Sequence, residues 1–307
     1  MGDAETVAES LRGLATEGVD PRFSRIDTMP AAEIAAIMNQ ADAEVPEAIG
    51  KELPAVAAAI DAIVERLAGG GRLRYVGAGT AGRMAVVDAS ECVPTFSTPP
   101  DLIKAVLAGG DAAFVSAAEG VEDDRAAGTA AMEEHQIGPG DAVMGVTASG
   151  RTPFVLAAVA EARQRGALTV GLSCNRDASL SRIAERPIEV VCGHEVVAGS
   201  TRLKAGTAQK MVLNMVSTIT MVKLGRTYGN YMVDMSVLNR KLEVRAAKMV
   251  SDITGASLDA AREALRRADN HAKTAVLMLE RSMDAAAARA LLEQTGGRLA
   301  EALAVPR

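Results

Sequence analysis

The chain has 307 residues, of which 33 are basic and 39 acidic, so its formal net charge is −6. Hydrophobic residues make up 49% of the chain, aromatic residues only 2%, and there is no tryptophan. This composition argues against a polyanion-binding surface and against nucleic-acid binding by base stacking, and it leaves Ala, Val, Leu and Met to fill the core.

The cysteines and histidines do not form a recognisable ligand pattern. The three cysteines, Cys92, Cys174 and Cys192, lack a CxxC spacing, which favours buried thiols in a reducing compartment over a disulfide framework. The three histidines are scattered, so no metal site is expected. The first residues include acidic side chains and no continuous apolar run, and no segment offers about 18 uninterrupted apolar residues for a membrane span. We therefore expect a cytoplasmic protein.

Hydrophobic periodicity divides the chain into three regions. Residues 1–50 predict a helical arm, with short helices broken at Pro21, Pro30 and Pro46 and a helix start near Pro30. Residues 51–240 show strand patterns at 72–76, 102–107, 142–146, 168–172 and 188–191, and helical patterns at 55–67, 112–134, 153–165 and 205–224. This βαβ rhythm predicts an α/β fold, a three-layer parallel sheet with helices on both faces. Residues 241–307 show helical patterns alone, at 247–253, 258–267, 272–279 and 283–292, and predict a small helical bundle.

A glycine-rich turn, Gly77-Ala78-Gly79-Thr80-Ala81-Gly82, links the first predicted strand to a helical pattern. Backbone N–H groups and a hydroxyl at a helix N-terminus can bind a phosphate. The same spacing matches the dinucleotide fingerprint, which also needs an acidic residue at the end of the second strand. Asp101 lies nineteen residues after Gly82 but begins the next strand, which disfavours a nicotinamide cofactor. A packing turn without a ligand stays an alternative.

Two further loops place hydroxyl groups ahead of a helical pattern. One is Thr147-Ala148-Ser149-Gly150-Arg151-Thr152, and the other, the segment 193–210, joins hydroxyl groups such as Ser200 and Thr201 to cations such as Lys204. Each could be only a helix cap, worth about 1 kcal/mol. Parallel sheets, however, bind ligands at the carboxyl ends of their strands. We expect a phosphorylated small molecule to be bound there by Gly79, Thr80, Ser149, Gly150, Thr152, Ser200, Thr201 and Lys204.

Five segments together resemble the N-acetylmuramic acid 6-phosphate etherase family, whose core is a sugar-isomerase (SIS) domain. They are GAGTAGRMAVVDASECVPTF at 77–96, VEDD at 121–124, TASGRTPFV at 147–155, GLSCN at 171–175 and EVVAGSTRLKAGTAQKMVLNMVST at 195–218. The resemblance covers nearly the whole chain, from Thr16-Glu17 to the helical tail. It implies a SIS-like domain at 51–240, a homodimer, a sugar-phosphate substrate, and no metal, nucleotide or redox cofactor.

The resemblance implies cleavage of the lactyl ether of N-acetylmuramic acid 6-phosphate, with water, to N-acetylglucosamine 6-phosphate and D-lactate. In the open-chain sugar the C1 aldehyde acidifies the C2 proton, so a base can remove it while lactate leaves from C3. Water then adds at C3, and a second group protonates the departing alkoxide and activates the water. Carried over from the family, these two groups fall on Glu91, as the acid, and on Glu122. The residues alone also allow Glu91 to end a helix and Glu122 to belong to a solvated acidic face.

The position of Glu91 raises a geometric question. If one straight helix runs from Thr80 to Glu91, the rise per residue puts Glu91 about 16 Å from the loop that opens the helix, beyond the reach of a hexose phosphate. Either the helix ends early, near Asp88-Ala89-Ser90, or a neighbouring subunit completes the pocket. We favour the shared pocket.

Three positions depart from the family pattern: Ala81, Val93 and His194. Ala81 removes one possible phosphate ligand. For His194, a packing or solvent-facing role is favoured over a pH-sensitive contact with the substrate. These departures bear on specificity more than on the type of reaction.

Two other functions stay open. An aldose–ketose isomerase of the same fold would carry a catalytic glutamate where Arg202 stands. A non-catalytic sugar-phosphate sensor would not need both Glu91 and Glu122. For an etherase, the sequence leaves open whether the reaction serves recycling of the cell's own wall or use of scavenged wall sugar.

Overall fold

The computed structural model describes residues 13–116, 120–237 and 239–306. By packing, the chain divides into two compact units. The first comprises Met1–Ala89 and Asp101–Val216, and the second comprises Ser90–Pro100 and Ser217–Arg307. These units follow tertiary contacts, whereas the ranges 1–50, 51–240 and 241–307 follow sequence pattern and remain a prediction.

Five parallel strands form the sheet of the first unit. They are β1 (Leu73–Gly77), β2 (Ile103–Leu107), β3 (Ala142–Val146), β4 (Leu168–Ser173) and β5 (Arg186–Glu189), in the spatial order β2-β1-β3-β4-β5. Every strand begins and ends within two residues of its predicted range, so these predictions are confirmed. The strand order reverses between β1 and β3, and a crevice for a ligand forms at the carboxyl ends of the two strands that flank such a reversal.

Helices cover both faces of this sheet. Within the described residues, the α-helices that begin before residue 210 are α1 (Ala31–Asp42), α2 (Glu44–Ala68), α3 (Gly79–Phe96), α4 (Ala112–Val115), α5 (Arg125–Glu134), α6 (Pro153–Gln164), α7 (Ser179–Ile183) and α8 (Lys204–Lys223). On one face, Val76, Val106 and Val143 are buried against α5, α6 and α7. Helix α2 contacts β3, β4 and β5, and none of its described residues belongs to that cluster, so it packs on the other face. The predicted three-layer α/β fold is confirmed.

The prediction of one helix over 112–134 is wrong. Helix α4 ends at Val115, and a 3-10 turn at Val121–Asp123 precedes α5; residues 117–119 lie outside the described part of the chain. Gly120 has a left-handed backbone, with φ of 75°, and so interrupts the helical path. Asp124 then starts a new helix, because its side chain accepts a hydrogen bond from the Ala127 N–H at 2.8 Å.

The expected break at Pro46 is also wrong. Pro46 lies in the first turn of α2, where its missing N–H costs no helical hydrogen bond. The break between α1 and α2 falls instead at Ala43. Pro30, by contrast, immediately precedes α1, as predicted.

Helices α9 (Arg240–Thr254), α10 (Leu258–Arg267), α11 (Ala272–Arg281), α12 (Ala285–Gln294) and α13 (Leu299–Ala304) belong to the second unit. Their buried Ala, Val, Leu and Met side chains form one core. The four predicted helices are confirmed, whereas α13 was missed because six residues carry too little periodicity. In the described part of the chain, no helix has the length and apolar character needed to cross a membrane.

A buried ion pair lies in the second unit. Lys273 Nζ is 2.7 Å from Asp234 Oδ2, and both side chains are only 5% exposed. The same ammonium donates to the carbonyl oxygens of Gly225, at 2.9 Å, and Gly297, at 2.8 Å. All three ammonium hydrogens therefore have acceptors, as a buried lysine requires.

The three cysteines are buried thiols, as predicted, and none of them forms a disulfide within the described part of the chain. Burial raises the pKa of Cys192 to about 11 and holds the pKa of Cys174 well above its ordinary range. Both side chains therefore stay protonated and unreactive at neutral pH.

Candidate functional site

Two of the predicted loops meet at the reversal of strand order. Gly77, the last residue of β1, is in register with Val146, the last residue of β3, so the loops that follow leave the same edge of the sheet. The first loop turns tightly, because a Cβ on Gly77 would lie 2.7 Å from the Cα of Gly82. Gly79, with φ of 53°, then opens α3.

A cavity of about 260 Å³ opens at this point, and its lining residues all belong to the first unit. Hydroxyl groups dominate the wall, and two carboxyl groups and one amide complete its polar lining. The hydroxyl residues are Thr80, Thr147, Ser149, Thr152 and Thr201, the carboxyl residues are Glu17 and Glu122, and the amide is Gln209; Ala78, Gly79, Ala81, Ala148 and Gly199 supply the remainder. Among the described residues that line it, none is a lysine or arginine.

The hydroxyl groups after β3 form a connected set ahead of α6. Thr147 Oγ1 is 2.7 Å from Thr152 Oγ1 and 3.3 Å from Ser149 Oγ. Ser149 Oγ also accepts a hydrogen bond from the Arg151 N–H at 3.2 Å. Because these groups stand at a helix N-terminus, they can donate to an anion that the helix dipole also stabilises.

Gly150 shapes this loop from behind the cavity. Its φ is 71°, and a Cβ there would overlap the Cβ of Ala178. Its carbonyl oxygen accepts a hydrogen bond from the Leu180 N–H at 2.9 Å. The structure thus ties the Gly150 backbone to the start of α7 and does not place it in the cavity wall.

The third predicted loop contributes Thr201 and Gly199 to the wall, whereas Ser200 and Lys204 are not among the lining residues. Lys204 is fully buried, and its Nζ donates to Glu44 Oε2 at 2.6 Å and to the His194 carbonyl oxygen at 3.3 Å. Its charge is therefore balanced by Glu44 rather than directed at the cavity.

Glu195 caps the helix that this loop opens. Its carboxyl oxygens accept hydrogen bonds from the N–H groups of Lys204, at 2.8 Å, and Ala205, at 3.0 Å. Burial raises the pKa of Glu195, and the two backbone hydrogen bonds oppose that shift. A buried cap of this kind holds the start of α8 in one position.

The two glutamates assigned by resemblance occupy different units. Glu122 is exposed and lines the cavity of the first unit. Glu91 is exposed and belongs to the second unit, within α3. Helix α3 runs unbroken from Gly79 to Phe96, so the alternative in which it ends near Asp88 is wrong.

Sequence reasoning did not single out Glu17 or Gln209 as a residue of the site, although Gln209 lies in the third predicted segment and Thr147 was expected as one hydroxyl group of its loop. Glu17 is held near the cavity because Thr16, the residue before it, is anchored to Asn175: the Asn175 Nδ2 donates to Thr16 Oγ1 at 3.0 Å and to the Ala148 carbonyl oxygen at 2.9 Å. This side chain lies 159 residues from Thr16 along the chain, so no local pattern predicts the contact. The Thr16-Glu17 pair was visible only as part of the family resemblance.

His194 packs against the segment that carries Glu17. Its Nδ1 lies 2.8 Å from the carbonyl oxygen of Ala15, and its ring occupies the space where a Cβ on Gly18 would stand. The structure therefore gives His194 a packing role and does not include it among the cavity-lining residues.

We expect Gly18→Ala to lower the free energy of unfolding by about 1–3 kcal/mol, because its methyl group would overlap the His194 ring. In a His194→Ala background the space is vacated, so the same change should cost little, and the two substitutions should be non-additive. Urea unfolding of the four proteins measures this coupling. Gly50→Ala, where the new methyl would meet open space, is the matched control. Equal costs of Gly18→Ala in both backgrounds would contradict the packing role.

Asp101, the residue that weakened the dinucleotide interpretation, has a structural role. It lies just before β2 and pairs with Lys104 at 2.9 Å, Arg74 at 2.8 Å and Arg72 at 3.3 Å. Hydrogen bonding to Lys104, together with the charge of Arg74 and a hydrogen bond from Arg72, lowers the pKa of Asp101 to about 2. Its carboxylate thus balances Arg74, a buried cation at the start of the sheet, rather than binding a ribose.

Known proteins of two descriptions are similar to this chain. Residues 55–163 match the sequence profile of the glucokinase regulatory protein N-terminal SIS domain. A protein of Streptomyces avermitilis named N-acetylmuramic acid 6-phosphate etherase is 49% identical over 99% of this chain and 98% of its own. The protein of the same name from Streptomyces coelicolor is 51% identical over 96% of this chain and 94% of its own. The one from Rubrobacter xylanophilus is 54% identical over 88% of this chain and 90% of its own.

Proposed function

Since the chain belongs to the N-acetylmuramic acid 6-phosphate etherase family, we propose that it cleaves the D-lactyl ether of that sugar phosphate to give N-acetylglucosamine 6-phosphate and D-lactate. The observation that carries this proposal is the cavity at the strand reversal, which combines anion-binding hydroxyl groups with the carboxyl group of Glu122. We propose that the enzyme acts in the cytoplasm, where its free thiols would stay reduced.

The phosphate group is proposed to bind at the N-terminus of α6. Thr147, Ser149 and Thr152 offer hydroxyl donors there, and Thr80 and Thr201 offer more across the cavity. Gly79 lets the first loop approach the ligand closely, because it has no side chain and its φ of 53° favours glycine. Gly150, Ser200 and Lys204 act in this proposal as the support of the loops rather than as ligands.

In this proposal each glutamate serves one reacting carbon, Glu122 at C2 and Glu91 at C3. Glu122, in the cavity, takes the proton from C2 of the open-chain sugar, and the electrons released expel lactate from C3. Glu91 protonates the leaving alkoxide and then takes a proton from the water that adds at C3, which returns both residues to their starting states once C2 is reprotonated. The wall groups bind and orient the substrate, and a carboxyl group at each reacting carbon performs the acid–base steps.

We further propose a homodimer in which a neighbouring subunit supplies Glu91 to the pocket. Two facts support it: α3 is unbroken as far as Phe96, and the residues that line the cavity come from one unit that does not contain Glu91. Mixing a Glu91→Gln variant with a Thr152→Val variant should then restore part of the activity, because half of the mixed sites would be intact. An absence of rescue in a verified mixed dimer would count against the shared pocket.

Incubation of the pure protein with N-acetylmuramic acid 6-phosphate in ¹⁸O water tests the proposed function. We expect free D-lactate and ¹⁸O at C3 of N-acetylglucosamine 6-phosphate. A ketose product instead would identify an isomerase, and bound but unchanged substrate would identify a sugar-phosphate sensor. Either of these results would overturn the etherase proposal.

A further inference from the structure

One buried side chain that lines the cavity carries a polar atom without a hydrogen-bond partner among the described residues. Gln209 lies in α8 and is only 1% exposed, yet it lines the cavity. Its Nε2 has no hydrogen-bond partner in the part of the chain that the structure describes. An amide N–H that is buried and unpaired lowers stability, so native folds rarely keep one without a compensating use.

The position of this atom distinguishes it from the other buried atoms of its kind. Three more side-chain atoms lack partners among the described residues, namely Arg74 Nε, Ser181 Oγ and Thr220 Oγ1, and none of them lines the cavity. Gln209 follows Gly206 by one helical turn, and a Cβ on Gly206 would lie 3.3 Å from the side chain of Thr80. The amide therefore stands on the face of α8 that meets the first glycine-rich loop.

A carboxyl group in the same wall supplies the opposite hydrogen-bonding character. Glu17 lines the cavity, and its Oε2 lies 3.4 Å from the place where a Cβ on Gly199 would stand. A carboxylate accepts hydrogen bonds and repels a phosphate. The part of the cavity that Glu17 lines therefore suits an uncharged hydrogen-bond donor of the ligand. The hydroxyl set at α6 already provides donors for the anion.

From this pairing we infer that Gln209 and Glu17 bind the 2-acetamido group of the sugar phosphate, with the Gln209 Nε2–H donating to its carbonyl oxygen and Glu17 accepting its N–H. An acetamido group carries one acceptor and one donor, which matches an unpaired amide donor and a carboxylate acceptor in one wall. The assignment rests on the proposed function, because it takes a phosphorylated amino sugar as the ligand. It makes the two residues specificity determinants that act without moving a proton.

Gln209→Met tests this assignment, because methionine has a similar length and no N–H. We expect the affinity for N-acetylglucosamine 6-phosphate, measured by calorimetry, to fall about tenfold, while the affinities for glucose 6-phosphate and inorganic phosphate stay within about twofold. Without ligand, the variant should unfold at the same urea concentration as the wild type or at a higher one, because an unpaired buried donor has been removed. Glu17→Gln should lose the same preference for the acetamido sugar.

Ser181→Ala is the matched control, since it removes another unpartnered buried atom, one that does not line the cavity. It should leave all three affinities unchanged. Equal losses of affinity for all three ligands in Gln209→Met would show that the Gln209 amide contacts the phosphate group. Unchanged affinities, or a clear loss of stability, would show that the amide has no binding role. Each of these results overturns the inference. Binding of the product is measured without turnover, so a wild-type protein that binds it but releases no lactate refutes the proposed function alone.

Discussion

Glu122→Gln is expected to lower kcat about 10²–10⁴-fold, the range that a positioned general base contributes, while N-acetylglucosamine 6-phosphate still binds. The amide keeps the shape of the side chain in the cavity wall but cannot take the C2 proton. Lactate release in steady state measures kcat, and calorimetry with the product measures binding. A joint loss of binding would show that the residue holds the substrate rather than transferring a proton.

Exchange of the C2 proton with D₂O separates the two glutamates. If Glu122 is the base at C2, Glu122→Gln should abolish the exchange in N-acetylglucosamine 6-phosphate, whereas Glu91→Gln should retain it and lose only lactate release. The neighbouring exposed carboxylate provides the control: Asp123→Asn changes the local charge by the same amount but does not alter the cavity wall. Exchange that survives in Glu122→Gln and disappears in Glu91→Gln would reverse the two roles.

Lys273→Met should lower the free energy of unfolding by about 3–5 kcal/mol, because it leaves the buried Asp234 carboxylate without its closest cation. The substitution also removes the donors to the carbonyl oxygens of Gly225 and Gly297. Arg226, 3.4 Å from Asp234 Oδ2, is one-third exposed and compensates only in part. Urea unfolding, followed by circular dichroism, measures the loss.

A second lysine of the same unit provides the control for this substitution. Lys248 pairs with Asp252 at the same distance, 2.7 Å, but its side chain is 70% exposed. Lys248→Met should leave the unfolding midpoint unchanged within error, since an exposed pair is screened and flexible. Similar losses for Lys248→Met and Lys273→Met would show that burial does not set the strength of this pair.

The sheet and the two loops at the carboxyl ends of β1 and β3 were predictable because their signals are local. Strands β3 and β4 are short, mostly apolar runs that are buried at every residue, and a run of this kind is typical of a strand covered on both faces. Gly77 and Gly82 indicate the first loop because a tight turn permits no side chain there. The wrong prediction of one helix over 112–134 also has a local cause. Gly120 has a left-handed backbone that interrupts the helix, whereas hydrophobic periodicity alone predicts that the helix continues.

The assignment of side chains to the cavity was less predictable, because sequence does not reveal which partner a polar group meets. Lys204 stands beside Ser200 and Thr201 in a segment that resembles an anion-binding loop, yet it pairs with Glu44, 160 residues away. Gln209 shows the opposite case: it looks like an ordinary polar residue of a helix, and only the packing of α8 reveals that its amide is buried without a partner.

The sequence by itself thus determined the order of strands and helices along the chain, the two loops at the carboxyl ends of β1 and β3, and the family, because periodicity, glycine positions and motifs are properties of neighbouring residues. Only the tertiary structure decided which side chains line the cavity, since Glu17, Glu122 and the pair Thr201 and Gln209 come from three distant segments. Burial explains why Lys204 does not line the cavity: a buried charge must be paired, and the Lys204 ammonium pairs with Glu44. The polar lining of the cavity therefore consists of hydroxyl, amide and carboxyl groups.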